Sequence, residues 1–338
     1  MEFNTPYLLL NVVIFIAGLA VLIKGSDWFI EAAAGIARKY NVSELTIGLT
    51  LVSIGTALPE WASSLYAAFA NHPEFIVGNI VGSITTNITL ILGIGVVFCG
   101  CLFFSRKLLT RDVLIMFGVF LLTAALVFAY KIFSGTYQIG RIGGGILTAI
   151  AVWYCWHLFR QPEQETSECE LEEAHRLAEA TRNMSFVKCF GLLFLGLVMV
   201  VLGSKAMLDT VVWSAAKLGV PTIVISMTVV AFGSSVPELA VTIAGVTKKC
   251  HDMALGNVIG SNTFNILLIF GTCSLVRPVS FGSTGAGMVN LGIMLVAGAA
   301  LVALMYVCRD RLKRSGGILL LTMYAVFLAY NCRHFFGA

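Results

Sequence analysis

The sequence predicts an all-α polytopic membrane protein with ten transmembrane helices arranged as two inverted five-helix repeats. Three observations predict it: a composition too apolar for a water-soluble domain, ten apolar runs whose flanks alternate in basic charge, and a gapless internal repeat. Of the 338 residues, 58% are hydrophobic and 12% charged, whereas a soluble domain carries roughly 45–50% apolar and about 25% charged residues. A spanning helix takes about 20 apolar residues, so this length holds ten with short connections. The 33 glycines suit closely packed membrane helices. A net charge of +4 is too dilute to indicate nucleic-acid binding.

The apolar runs fall at 7–37, 43–70, 75–103, 110–130, 139–160, 185–216, 221–247, 252–276, 286–307 and 315–335. The first lacks a basic flank and is too long for the core of a cleavable signal, so it is expected to stay as a span. In the connections, one side of the membrane holds fifteen Lys and Arg, among them Arg38, Arg106, Arg160, Lys248 and Arg311. The other side holds five, Lys131, Arg141, Lys217, Arg277 and Arg333. The positive-inside rule then places both termini outside and the 161–184 connection in the cytoplasm. That connection carries seven glutamates, Glu163, Glu165, Glu168, Glu170, Glu172, Glu173 and Glu179. It lacks the glycine turn and alternating ligands of a calcium loop and reads as a solvated linker. The nine cysteines include no CxxC pair and the five histidines no ligand-spaced cluster, so neither set is assigned chemistry. Lack of a targeting segment favours a bacterial or archaeal cytoplasmic membrane.

At a constant offset of 178, Gly55-Thr56-Ala57-Leu58-Pro59-Glu60 lies over Gly233-Ser234-Ser235-Val236-Pro237-Glu238. In the next span Gly78, Asn79, Gly82, Ser83, Thr85 and Asn87 recur as Gly256, Asn257, Gly260, Ser261, Thr263 and Asn265. The organisation is therefore a first repeat at 1–160 with its motif at 46–93, the linker at 161–184, and a second repeat at 185–338 with its motif at 224–271. Five spans is an odd number, so the second copy crosses in the opposite sense. Inverted repeats are a transporter architecture with the substrate site at the midplane.

The repeated residues carry suitable chemistry. Pro59 and Pro237 lie near the middle of their spans, where proline frees the carbonyls of Gly55 and Gly233. Freed backbone oxygen at membrane depth is tolerated where it lines a polar cavity, and oxygen is what hard cations prefer. After each proline comes a glutamate, and a buried carboxylate is costly unless a cation compensates it. Ser53, Thr56 and Glu60 share one helix face, as do Ala231, Ser234 and Glu238. Ser83 with Asn87, and Ser261 with Asn265, offer hydroxyl and amide oxygens four residues apart. Taken singly, such Ser, Thr and Asn residues more often only join helices; the duplicated glutamates favour function. If the copies face each other, the centre is an oxygen cage whose charge of −2 neutralises one Ca²⁺ or two Na⁺. Lys24, Asp27, Glu31, Lys205 and Asp209 fall toward span ends and are expected to snorkel or pair locally.

These motifs, with Lys24-Gly25-Ser26-Asp27-Trp28-Phe29 of the first span, resemble the alpha-repeats of the cation/calcium antiporter superfamily, specifically prokaryotic sodium/calcium exchangers. The resemblance covers nearly the whole chain. It implies an antiporter in which Ca²⁺ and Na⁺ compete for overlapping sites while the first and sixth helices slide against a core. It implies Glu60 and Glu238 as central ligands, Asn87 as amide partner, and Thr56 and Ser234 as hydroxyl or carbonyl donors. Outlying Na⁺ sites would involve Ser53 and Ser83 toward one side, and the Ala231 carbonyl and Ser261 toward the other. Two departures stand out: Asn265 takes a place where many members have aspartate, and Ala57 a place where serine is usual.

The leading reading is a secondary antiporter exporting Ca²⁺ in exchange for Na⁺, with Ca²⁺, Na⁺ and the lipid bilayer as partners and no tightly bound cofactor. The sequence points to no protein partner. The alternative is an antiporter of Ca²⁺, or another divalent cation, with H⁺, since buried carboxylates can hold protons. A passive cation pore is a third reading, disfavoured because two facing carboxylates bind Ca²⁺ tightly. The chain is not expected to be an enzyme: it shows no Ser-His pair, aspartate pair or His-Glu-x-x-His site.

Overall fold

A computed structural model describes residues 3, 5, 7–39, 56–104, 108–159, 179, 184–247, 251–282, 285–309 and 311–336. Ser53, Gly55, the first part of the expected second span and nearly all of the acidic linker lie outside these residues. In a bilayer the backbone must satisfy its own hydrogen bonds, so the apolar runs become helices. They are α1 (Leu8–Lys39), α2 (Leu58–Phe69), α3 (Pro73–Thr86, continuing through Asn87–Ile91 into Leu92–Cys99), α4 (Leu108–Val113 into Leu114–Ser134) and α5 (Arg141–Phe159). The second half gives α6 (Phe186–Leu218), the broken α7a (Thr222–Ser234) and α7b (Val236–Thr247), and α8 (His251–Phe264, Asn265–Phe270 and Gly271–Val276). It closes with α9 (Ala286–Cys308) and α10 (Arg314–Phe336). Each falls on one of the apolar runs read from the sequence. Seven are long and apolar enough to cross a membrane, and the α7a–α7b pair, bent by 44°, makes an eighth.

Helices α2, α3, α7 and α8 pack on one another at the centre, flanked by α4, α5, α9 and α10. The buried share is 83% in α3 and 78% in α8 against 22% in α1 and α6, which places the latter pair at the periphery. Leu9, Val13, Ile16, Val187 and Phe194 on that pair are exposed and apolar, as a lipid-facing surface requires. The two helices pack along each other through four glycines. A Cβ on Gly25 would lie 2.7 Å from Met199 Cβ and 2.9 Å from the Gly196 carbonyl, and one on Gly203 would lie 2.6 Å from the Gly18 carbonyl. Gly18 and Gly25 stand 178 residues before Gly196 and Gly203, so equivalent positions of the two copies meet reciprocally. Two of the charged pairs on these helices are local, Lys24 with Asp27 at 3.8 Å and Lys205 with Asp209 at 2.8 Å.

Two short ribbons mark opposite ends of the bundle. Strand β1 (Cys101–Phe103) pairs antiparallel with β4 (Arg311–Lys313), Leu102 opposite Leu312. Strand β2 (Gln138–Ile139) pairs antiparallel with β3 (Val279–Ser280), Ile139 opposite Val279. The first residues of β1 and β3 are 178 apart, the repeat offset. Each ribbon thus joins the strand after the third helix of one copy to the strand before the last helix of the other. The π-helical turns at Asn87–Ile91 and Asn265–Phe270 also begin 178 apart.

Gly25→Ala is expected to destabilise the protein by about 1–3 kcal/mol, because the methyl group meets backbone that cannot retreat. Gly118→Ala, where nothing lies within 4 Å, should stay within about 0.5 kcal/mol of wild type. Thermal unfolding in detergent checks both.

Candidate cation-binding site

The two glutamates owe their place to a break in each helix. Helix α7a stops at Ser234, Ser235 makes a turn, and α7b restarts at Val236 with Pro237 in its first turn. In the first copy Ala57 precedes α2, whose second residue is Pro59. Proline lacks an N–H and has a fixed φ, which suits the first turn of a helix. What the sequence reads as a mid-span kink is therefore the start of a half-helix. Glu60 and Glu238 each lie in that first turn, where the unpaired N–H groups and the helix dipole favour negative charge. Both are fully buried.

The hydroxyls around each carboxylate come from both copies. Ser83 of α3 and Ser234 of α7a flank Glu60, and Ser235 Oγ donates to Glu60 Oε1 at 3.4 Å. Thr56 and Ser261 flank Glu238, their own oxygens 3.2 Å apart. Ser83 corresponds to Ser261 and Thr56 to Ser234 at the repeat offset, so the two clusters are copies of each other related across the centre. Ser83 Oγ also lies 3.5 Å from the Ala231 carbonyl and 3.5 Å from Ser234 Oγ. This approach needs Gly82, whose Cβ would lie 2.5 Å from the Met227 carbonyl and 2.7 Å from Ala231 Cβ. The resemblance groups Ser83 with Ser53, but here Ser83 meets Ala231 and Ser234 of the other copy, and Ser53 lies outside the described residues.

The amides sit at the two π-helical turns, where an extra residue re-aims side chains. Asn87 Nδ2 donates to Asn262 Oδ1 at 3.0 Å while its Oδ1 has no partner, and neither polar atom of Asn265 has one. Glu60 Oε2 and both oxygens of Glu238 are equally without partners. Unsatisfied oxygens thus stand on both glutamates and on both π-turn asparagines, Glu60, Glu238, Asn87 and Asn265, alongside other unpartnered buried atoms such as Ser226 Oγ and Thr242 Oγ1. Among the described residues no group of three or more His, Cys, Asp or Glu could hold a metal ion. A donor set of two carboxylates with hydroxyl, amide and carbonyl oxygens suits a hard cation such as Ca²⁺ or Na⁺ rather than a thiolate or imidazole metal.

Four contacts around this set escaped the sequence reading. Asn79 Nδ2 donates to Ser64 Oγ at 2.9 Å, Ser63 Oγ at 3.2 Å and the Glu60 carbonyl at 3.3 Å, and its Oδ1 accepts from Ser234 Oγ at 3.3 Å. Ser235 stands opposite Ala57 in the repeat, and its contact with Glu60 has no counterpart in the other copy. Asn262 holds Asn87. Trp61, next to Glu60, donates its indole N–H to Thr272 of α8 at 3.0 Å. Asn79 was visible as a repeated residue; the other three carry no repeat signal. Asn79→Ala removes the partner of Ser64 Oγ and one of several at Ser63 and Ser234, and should cost about 1–3 kcal/mol in detergent thermal unfolding.

The profile of the family described as Sodium/calcium exchanger protein matches residues 10–160 and 188–333. An uncharacterized membrane protein of Methanocaldococcus jannaschii is 32% identical over 325 residues, covering 95% of this chain and 98% of that one. The sodium/calcium exchanger MaX1 of Methanosarcina acetivorans is 30% identical over 351 residues, covering 94% and 97%. A solved structure of the sodium-calcium exchanger NCX_Mj superposes with a TM-score of 0.61 at 29% identity, covering 96% of this chain and 99% of that one. With a helical bundle of matching extent and a profile spanning both halves, this chain belongs to the sodium/calcium exchanger protein family.

Proposed function

We propose that the protein is a secondary antiporter, not an enzyme, that exports Ca²⁺ from the cytoplasm in exchange for Na⁺ by alternating access. Its site is an oxygen cage on Glu60 and Glu238. The observation that carries this reading is the pair of buried, repeat-equivalent carboxylates, three of whose four oxygens lack a partner. Thr56, Ser234, Ser83, Ser261, the Ala231 carbonyl, Asn87 and Asn265 supply the remaining oxygens, with Ser53 an added ligand by resemblance. Two carboxylates carry −2, which one Ca²⁺ or two Na⁺ neutralise, so the two ions exclude each other from one cage. A third Na⁺ would make exchange electrogenic, worth about 2.3 kcal/mol per charge per 100 mV.

The architecture proposed is ten spans in two inverted five-helix repeats, at 1–160 and 185–338, joined by a cytoplasmic linker at 161–184. The reciprocal strand ribbons, the paired π-helical turns and the reciprocal glycines of α1 and α6 support this reading. Arg311, Lys313 and Arg314 lie at the β1–β4 end, which the positive-inside rule assigns to the cytoplasm, with both termini outside. The peripheral α1–α6 pair is the element proposed to slide against the core. The membrane proposed is a prokaryotic cytoplasmic membrane, and no tightly bound cofactor is invoked.

Radiolabelled Ca²⁺ uptake into Na⁺-loaded proteoliposomes tests the reading, with K⁺-loaded and pH-gradient controls. Uptake is expected to require internal Na⁺ and to fall to background in Glu60→Gln and Glu238→Gln, which keep side-chain volume and remove half the central charge. Asp27→Asn should retain transport, since Asp27 pairs with Lys24 and is 54% exposed. Uptake that follows the pH gradient and ignores Na⁺ would replace Na⁺ by H⁺ as the coupling ion.

A further inference from the structure

Asn87 and Asn265 are repeat equivalents, yet only the Asn87 side chain is held. Asn87 Nδ2 donates to Asn262 Oδ1 at 3.0 Å, and Asn262 Nδ2 donates in turn to Met116 Sδ at 3.8 Å. The three side chains come from α3, α8 and α4, and all are fully buried. At the repeat offset Met116 corresponds to Met294, but Asn262 corresponds to Ile84, which has no amide to offer. Both polar atoms of Asn265 are without a partner.

A direction runs along this chain of contacts. A thioether sulfur accepts hydrogen bonds and has none to donate. It takes the NH₂ end of the Asn262 amide, so Asn262 Oδ1 faces Asn87 and takes the NH₂ end of that side chain in turn. Among the nitrogen and oxygen atoms of the two side-chain amides, Asn87 Oδ1 alone has no partner. Inverting both amides would keep the bond between them. It would also set the Asn262 oxygen against the Met116 sulfur, acceptor on acceptor, and turn the N–H groups of Asn87 to where its oxygen now stands. An amide oxygen is a hard-cation ligand, whereas an N–H repels a cation and donates to carboxylates instead. Met116 thus selects the arrangement that leaves an oxygen free. That oxygen belongs to the first residue of the π-helical turn Asn87–Ile91, which packs against α7b, the half-helix of Glu238.

We propose that Asn262 and Met116 are positioning residues for the cation site, which fix the Asn87 amide with its oxygen free to bind Ca²⁺ or Na⁺. The proposal rests on the exchanger reading above. A ligand whose orientation is set beforehand costs less to order on binding, and groups that touch the ligand rather than the ion commonly do the setting. In the second copy Ile84 cannot do this for Asn265, so the hold acts on one amide of the pair.

Equilibrium Ca²⁺ binding in Na⁺-free buffer, measured by titration calorimetry beside thermal unfolding of each protein, tests it. The proteins are wild type, Asn262→Leu, Met116→Leu, Asn87→Ala, and each leucine variant combined with Asn87→Ala. Asn262→Leu is expected to raise Kd about fivefold, as loss of the bond that holds the ligand. Met116→Leu, which keeps side-chain volume, is expected to raise Kd about twofold, because without the sulfur the two arrangements are equally populated and half the molecules present the oxygen. In the Asn87→Ala background neither substitution should change Kd further, since both act through the Asn87 amide. A purely structural role would lower thermal stability and leave Kd unchanged, or shift it equally with and without Asn87. An unchanged Kd in either folded leucine variant, or the same rise in the Asn87→Ala background, overturns the proposal; if Asn262→Leu does not fold, Met116→Leu decides alone. A wild type that binds no Ca²⁺ defeats the exchange reading and this proposal with it, whereas a wild type that binds beside unchanged leucine variants defeats the proposal only.

Discussion

Two carboxylates buried at the centre of an apolar bundle are the constraint on which the rest of this structure depends. An acidic side chain at the middle of a spanning helix costs about 2.5–3.5 kcal/mol on insertion scales, and here two of them lie close enough to interact. Local structure offsets part of that cost. Each helix breaks before its glutamate, so the carboxylate sits at the positive end of a half-helix. Hydroxyls from both copies crowd round it. The remaining oxygens have no partner among the described residues, and the proposed cation would supply one.

The same constraint explains the packing. Oxygens from α2, α3, α7 and α8 converge only if the helix backbones come close, and Gly82 and Gly78 let α3 approach α7a to a distance that a methyl group would block. The outer α1–α6 pair has its own glycine contacts and is largely exposed, and it also packs against α2 and, through Leu19, against Gly233 of α7a. The two copies differ in detail: Ser235 stands where the first copy has Ala57, and the Asn79 amide is hydrogen-bonded where Asn257 Nδ2 has no partner.

Much of this was legible in the sequence. Apolar runs near bilayer length located each of the described helices, since in lipid a backbone has few alternatives to the helix. The register of the repeat pointed to Glu60, Glu238, Ser83, Ser234 and Ser261, but not to Ser235, which also meets Glu60. The helix break was not legible: a proline within an apolar run fits a kinked span or a restarted one equally well, and the choice falls to the turn at Ser235. The ribbons were hidden because strands of two or three residues, such as Gln138–Ile139, leave no period-2 pattern. The contacts of Asn262 and Trp61 were hidden because they reach α3 and α8 residues at no repeat-related spacing.

The central claim is that Glu60 and Glu238 together hold one cation, with Ca²⁺ and Na⁺ excluding each other. Equilibrium Ca²⁺ binding to the purified protein by titration calorimetry tests it most directly, in Na⁺-free buffer and at increasing Na⁺. The account predicts one Ca²⁺ per chain, displaced competitively by Na⁺ and lost when both glutamates are replaced by glutamine. Ca²⁺ binding that survives the double replacement, or that Na⁺ leaves unchanged, would contradict it.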